Sequence, residues 1–219
     1  MKNFTALIAV RKGSERVKNK NIRTFCGSSL LEIKIKQALA CELIDEIVVS
    51  TDCLDMMSVA KRLGVKVHER PDYFCSSKIS MNLVYEYLAE SVQGNHIVYL
   101  HATSPLLTNK SLTNAINVYK NLENKYDSLA SVEHVKKYIW HNGMPVNYDP
   151  NSHPRSQDLP DYYALNFAIN IISRNNMIKN KNIIGKRFFS YVIDEIESID
   201  IDNQEDFEIA QAIYKLRRM

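Results

Sequence analysis

The sequence predicts an α/β protein with a mostly parallel sheet flanked by helices. Short apolar runs alternate with stretches of helical period, the order that strand–helix–strand units impose. A polar loop rich in lysine and arginine follows the first apolar run, at the position where open sheets of this class collect ligands. The length of 219 residues suits one domain, 1–219, with a core large enough to need no disulfide or metal staple.

Phe4 to Val10 (FTALIAV) reads as a buried first strand, and residues 11–27 as a long irregular loop. Leu30 to Cys41 has Leu31, Ile35, Ala38 and Leu39 at helical spacing. Glu46 to Ser50 (EIVVS) is a second strand. Met56, Val59, Ala60 and Leu63 follow the i, i+3, i+4, i+7 rule, and Gly64 stands where a helix stops. Val65 to His68 makes a short strand, Val84, Tyr87, Leu88 and Ser91 mark a helix, and Ile97 to Leu100 (IVYL) is a central strand. Leu112, Ala115, Ile116 and Tyr119 share one helix face, and Asp127 to Val132 forms a further strand.

From about Lys136 to Tyr163 the periodicity stops. This stretch holds Trp140, several prolines and several tyrosines. It reads either as an inserted arm whose aromatics meet a partner subunit or as a folded-back loop with its own small cluster. Regular structure resumes at Asn166 to Ser173 and Phe188 to Ile193. A last helix begins near Asn203, with Ile209, Ala210, Ile213 and Leu216 inward.

A hydrophobic share of 45% and a charged share of 24% are ordinary for a soluble globular protein. The net charge of +3 argues against a nucleic-acid partner. Cys26, Cys41, Cys53 and Cys75 have no metal-binding spacing and read as free thiols of a reducing compartment. The apolar run at the start is too short for a signal peptide, and no stretch approaches the roughly 20 apolar residues that span a bilayer. The expectation is a cytoplasmic protein with no membrane partner.

The first loop, RKGSERVKNKN (Arg11 to Asn21), packs Arg11, Lys12, Arg16, Lys18 and Lys20 around Gly13 and Ser14. A glycine lets backbone N–H groups approach a phosphate, and the cations supply countercharge. The loop matches neither a Walker A motif nor a GxGxxG fingerprint, so composition alone also allows a solvated charged loop.

The order Arg11, Gly13-Ser14, Lys20-Asn21 resembles the N-terminal signature of CMP-sialic acid synthetases (acylneuraminate cytidylyltransferases), A-R-x-G-S-K-G-x-x-x-K-N. Four more blocks follow in that family's order: VVSTD (Val48 to Asp52), ERPDYF (Glu69 to Phe74) with Ser80 after it, HATSPLLT (His101 to Thr108) and SIDIDNQEDF (Ser198 to Phe207). The resemblance covers essentially the whole chain. It implies a Rossmann-like nucleotidyltransferase fold with a small dimerisation arm, about 136–163, and hence a homodimer. The implied reaction is transfer of CMP from CTP to an acidic nine-carbon sugar of the sialic, legionaminic or pseudaminic type, with release of pyrophosphate.

On single positions, the resemblance implies that Arg11, Gly13, Ser14, Lys20 and Asn21 line the CTP site, with Arg70 and Ser80 near base and ribose. Asp200 and Asp202 would hold Mg²⁺, and Arg11, Lys20 and Asp200 would carry the catalysis. His101, Arg155, Gln157 and Asn166 would meet the sugar. Two carboxylates two apart on an extended segment point to the same side, and magnesium favours one or two carboxylates plus phosphate oxygens. Asp202, with Glu205 three residues on, also reads as the N-cap of the last helix.

The chain departs from the family pattern at several places. Glu15 stands where lysine is usual, His101 where glutamine is, Leu107 where arginine is, Phe167 where glycine is, and Ala164 where a basic residue is often found. Most of these fall on the acceptor side. His101 reads equally as a ligand contact or base and as a structural histidine. The departures leave two alternatives to nine-carbon sugar activation: CMP transfer to another sugar acid or acceptor, or a nucleotide-binding module without turnover.

Overall fold

The computed structural model describes residues 3–14 and 16–217. In chain order the elements are β1 (Phe4–Ala9), α1 (Leu30–Leu39), β2 (Glu46–Thr51), α2 (Leu54–Arg62), β3 (Lys66–Glu69), α3 (Met81–Glu90), β4 (His96–Leu100) and α4 (Asn109–Lys120). There follow β5 (Ser128–Val135), the two-residue strands β6 (Trp140–His141) and β7 (Met144–Pro145), β8 (Tyr162–Ser173), α5 (Arg174–Asn180), β9 (Phe188–Val192) and α6 (Gln204–Leu216).

Seven strands form one sheet in the order β3-β2-β1-β4-β8-β5-β9. β1 pairs in parallel with β2 and with β4, and β2 with β3. β5 and β9 are also parallel, while β8 runs antiparallel between β4 and β5. The sheet is therefore mostly parallel, as the alternation predicts.

Both faces of β1 are buried, which is why its sequence is an unbroken apolar run rather than an alternating one. Phe4, Ala6 and Ile8 pack with residues of α1, α2 and α4, including Ile35, Met56 and Ile116. Leu7 packs on the opposite face with Val84, Leu88 and Met177 of α3 and α5. A third cluster joins the first loop to the C-terminal helix: Val17, Phe25, Leu30, Ile33, Ile201, Phe207 and Ala210 are all buried together. Within it the rings of Phe25 and Phe207 meet edge to face at 5.3 Å and 87°, a geometry worth about 1 kcal/mol beyond area burial.

The structure corrects several boundaries. α1 ends at Leu39, which is exposed. On α6 the inward residues are Phe207 and Ala210, with Ile213 partly buried, whereas Ile209 and Leu216 face outward. The aromatic ring of Phe207, anchored on Phe25, sets the helix rotation. The cap of α6 is also shifted by one residue. Asn203 accepts from Asp206 N–H at 2.9 Å, and Asp206 Oδ2 accepts from Asn203 N–H at 3.0 Å, so Asp202 and Glu205 do not form the box.

β8 begins at Tyr162 rather than Asn166, because Val132 to Val135 of β5 extends to pair with it. The segment between β5 and β8 thus starts and ends on a two-stranded extension and contains β6 and β7 as a small hairpin. α5 was not foreseen: seven polar-rich residues, RNNMIKN, bury only Met177, too few for a periodic signal.

Candidate active site

The strand order reverses direction at β1. The chain runs outward through β2 and β3 on one side and returns on the other through β4. At such a switch point the connections leaving the two central strands part, and a crevice opens at their carboxyl ends. A cleft of about 390 Å³ lies there. Its walls are Ala9 to Arg11, Ser14, Arg16, Val17, Lys20 and Asn21 after β1, with His101 to Thr103 after β4 and Asp202 before α6.

The first loop is pinned at both ends. Arg11 Nη1 donates to the Cys75 carbonyl at 2.8 Å, and the Lys12 N–H donates to Asp52 Oδ1 at 2.8 Å. Gly13 has φ of 82°, a left-handed turn that a side chain would strain. Glu15 lies outside the described residues. Farther on, Arg16 Nη2 meets Asp202 Oδ1 at 2.8 Å, and Lys20 Nζ donates to the Ile201 carbonyl. The loop and the segment 200–202 therefore form opposite lips of one cleft although they lie at opposite ends of the chain.

Asp200 and Asp202 flank Ile201, which is wholly buried in the third cluster and whose N–H donates to the Thr103 carbonyl at 2.9 Å. Of its two neighbours, Asp202 lines the cleft, and Asp200 stands part-buried behind it within electrostatic reach of Asp202 and Lys20. Burial pushes the Asp200 carboxyl above its ordinary value and the nearby Asp202 adds to this, while Thr103 and Lys20 oppose it. Asp200 Oδ1 is buried without a hydrogen-bond partner. An orphaned carboxylate oxygen beside a second carboxylate is a donor set that fits a hard divalent cation sharing its other positions with phosphate and water. Among the described residues no group of three or more His, Cys, Asp or Glu could hold a metal ion without such help.

His101 closes the far wall. It is half-buried, its Nε2 is enclosed without a partner, and desolvation together with the charges of Lys34 and Lys20 pushes its pKa down to about 4. The ring is therefore neutral near pH 7. Behind it lies Lys34, a fully buried ammonium on α1 whose Nζ donates to the Ser104 carbonyl at 2.8 Å. Burial lowers Lys34 to about 7, with Asp200 and Glu197 pulling the other way. Sequence reading passed over Lys34, although its place three residues after Leu31 on the core stripe was a visible signal.

Other expected site residues stand elsewhere. Arg70 is buried beneath the loop, with Nη2 donating to the Val10 carbonyl at 2.6 Å and Nε to Cys75 Sγ at 3.0 Å. It braces the exit of β1 and is not among the lining residues. Ser80 caps α3 by accepting from the Asn82 N–H at 3.3 Å. Asn166 is buried on β8, where its Oδ1 accepts from Ser131 Oγ at 2.6 Å and its Nδ2 donates to Ser198 Oγ at 3.0 Å. Arg155 and Gln157 sit in the segment between β5 and β8, Arg155 paired with Asp158 at 2.7 Å, and neither lines the cleft.

This arrangement can take a polyphosphate against the loop cations and a metal ion at the carboxylate lip. The model of a family described as "Cytidylyltransferase" matches residues 5–218. The chain belongs to the cytidylyltransferase family. It is accordingly a nucleotidyltransferase. It is 26% identical over 219 residues to an N-acylneuraminate cytidylyltransferase of Escherichia coli O18:K1:H7, with 95% of this chain matched to 51% of that one. It is 28% identical over 228 residues to a pseudaminic acid cytidylyltransferase of Campylobacter jejuni, covering 99% of this chain and 97% of the other. The chain thus spans about half of the first relative and nearly all of the second.

The fold of this cytidylyltransferase matches a solved CMP:2-keto-3-deoxy-manno-octonic acid synthetase complexed with CTP. The TM-score is 0.72 at 14% identity, over 98% of this chain and 99% of that one. No helix among the described residues is long and apolar enough to cross a membrane.

Proposed function

We propose that this cytidylyltransferase transfers CMP from CTP to an acidic nine-carbon sugar of the sialic, legionaminic or pseudaminic type. The observation that carries this reading is the junction of the basic first loop with the 200–202 segment through Lys20 and Ile201. The two named relatives act on acids of this class by their descriptions.

In the proposed reaction a sugar hydroxyl attacks the α-phosphorus of CTP. A new P–O bond forms, the bond to the β-phosphate bridging oxygen breaks, the hydroxyl proton is lost, and pyrophosphate departs. Arg11, Ser14, Lys20 and Asn21 would hold the triphosphate, with Gly13 allowing the backbone to approach it. Their fixed charges would stabilise the negative charge that grows on phosphate oxygens. Asp200 and Asp202 would hold Mg²⁺, which supplies further countercharge when bound. His101, neutral in its desolvated setting, would stand on the acceptor side of the cleft.

The exposed aromatics of the arm, Tyr138, Trp140, Tyr162 and Tyr163, support a homodimer contact. The four free cysteines support a reducing, cytoplasmic setting. The function is tested by pyrophosphate release with CTP and Mg²⁺, set against ATP, GTP and UTP, over a panel of nonulosonic and octulosonic acids. Release restricted to CTP with a nonulosonic acid is expected. Release only with an octulosonic acid would move the substrate class, and CTP binding with no turnover on any acid would refute the reading.

A further inference from the structure

Phe167 has φ of 57°, a left-handed backbone that bulky residues avoid. The other described non-glycine residues with positive φ, Asn19, Cys26, Asn142 and Lys181, lie in turns, whereas Phe167 lies within β8, at the bulge where its pairing with β5 steps from Ala130–Asn170 to Val132–Leu165. The surroundings enforce the conformation. Asn166 beside it is fixed by Ser131 and Ser198, and Asn170 Nδ2 donates to the Phe167 carbonyl at 3.2 Å.

Core packing does not explain the strain, because the side chain is 38% exposed and joins none of the three apolar clusters. Its ring instead lies 6.0 Å from the ring of His101, which lines the cleft. In the sheet order β8 is next to β4 on the side away from β1. Phe167 therefore flanks the cleft opposite the phosphate-side loop, where an acceptor attacking from across the triphosphate would extend. A strained residue held at a site by its neighbours points to function there.

We propose that Phe167 determines acceptor specificity: its ring meets a methyl group of the sugar acid, where a hydroxyl would lose its water without gaining a partner. This rests on the sugar-acid reading above. The methyl is either that of an acyl substituent or that of a deoxygenated chain terminus. The two sources differ in position on the sugar and are separable by matched substrates.

The test measures kcat/KM for pyrophosphate release with two matched pairs, N-acetyl against N-glycolyl and terminal-deoxy against terminal-hydroxy acids. The wild type is expected to favour the methyl member of one pair by about tenfold or more, and that pair names the source. Phe167→Gly should abolish the preference through the acceptor KM and leave the CTP KM unchanged. Its Tm should stay constant or rise by about 2–4 °C, because glycine accepts the positive φ. Phe167→Leu should retain part of the preference. A preference that survives Phe167→Gly, or a change seen only in molecular mass by light scattering, would overturn the assignment. A wild type active on these acids without discrimination also overturns it. A wild type inactive on every acid sinks the sugar-acid reading itself, and the assignment with it.

Discussion

Lys20 donates its side-chain ammonium to the carbonyl oxygen of Ile201, so one bond fixes the spacing between the cationic loop and the carboxylate pair Asp200 and Asp202. Lys20 is half-buried there, and the loss of water lowers its pKa despite both carboxylates. Lys20→Met removes the bond and the charge together. The expected result is a CTP KM raised by about tenfold or more, equivalent to about 1.4 kcal/mol of lost binding, with a smaller fall in Tm measured by calorimetry.

Arg16 and Asp202 form the outer link of the same junction, but both side chains are largely exposed. Exposed pairs contribute little to folding. Arg16→Ala should therefore change unfolding free energy by less than about 1 kcal/mol in urea titration, while weakening CTP binding. A large loss of stability would show that the pair braces the loop rather than serving the ligand.

Asp200 is a partly desolvated carboxyl with an orphaned oxygen. Asp200→Asn removes an unfavourable buried charge, so the ligand-free Tm should hold or rise. The stabilisation that Mg²⁺ and CTP give together, about 2.7 kcal/mol at a hundredfold excess over Kd, should shrink sharply in the variant. Turnover should fall by about a hundredfold or more. Equal stabilisation of both proteins by Mg²⁺–CTP would remove Asp200 from the metal site.

Two desolvated groups set opposite ends of the pH profile. His101 titrates near 4 in the folded chain against 6.5 as its ordinary value. Between those values the unfolded chain binds the extra proton, so stability is full above about 6.5 and is lost as pH falls toward 4. Lys34 titrates near 7 against 10.5. The unfolded chain again binds more protons in that window, so stability rises with pH from about 7 toward 10. His101→Gln should flatten the acidic slope, about 3 kcal/mol across the window, and Lys34→Met the alkaline one. Denaturant titrations at stepped pH read both; slopes unchanged in the variants would contradict the assignment.

Asn166 resembled a sugar contact, but its amide joins Ser131 and Ser198 across β5, β8 and the segment before α6. Asn166→Ala should cost about 2–3 kcal/mol of unfolding free energy, because buried partners are left unsatisfied. An unchanged Tm with a raised acceptor KM would return Asn166 to the binding surface.

Much of the fold was legible because strands buried on both faces leave unbroken apolar runs such as Phe4 to Val10, and because Gly64 is a chemical stop signal. The cleft was legible in the first loop, whose charges have no structural use in the core. What escaped was decided by tertiary contacts. The face of α6 follows from Phe25 meeting Phe207. The cap register was ambiguous because Asp202 and Asn203 both cap well. The placement of Arg70 beneath the loop, with Nη2 donating to the Val10 carbonyl, is a pairing no local pattern encodes.

The central claim is CMP transfer at the junction of the first loop with Asp200. Its most direct measurement is ³¹P NMR of the purified protein with CTP, Mg²⁺ and a nonulosonic acid. The account predicts a new phosphodiester resonance growing in step with free pyrophosphate, and neither signal with Arg11→Ala or Asp200→Asn. Triphosphate resonances that persist unchanged across the acid panel, or product formation that survives both substitutions, would contradict it.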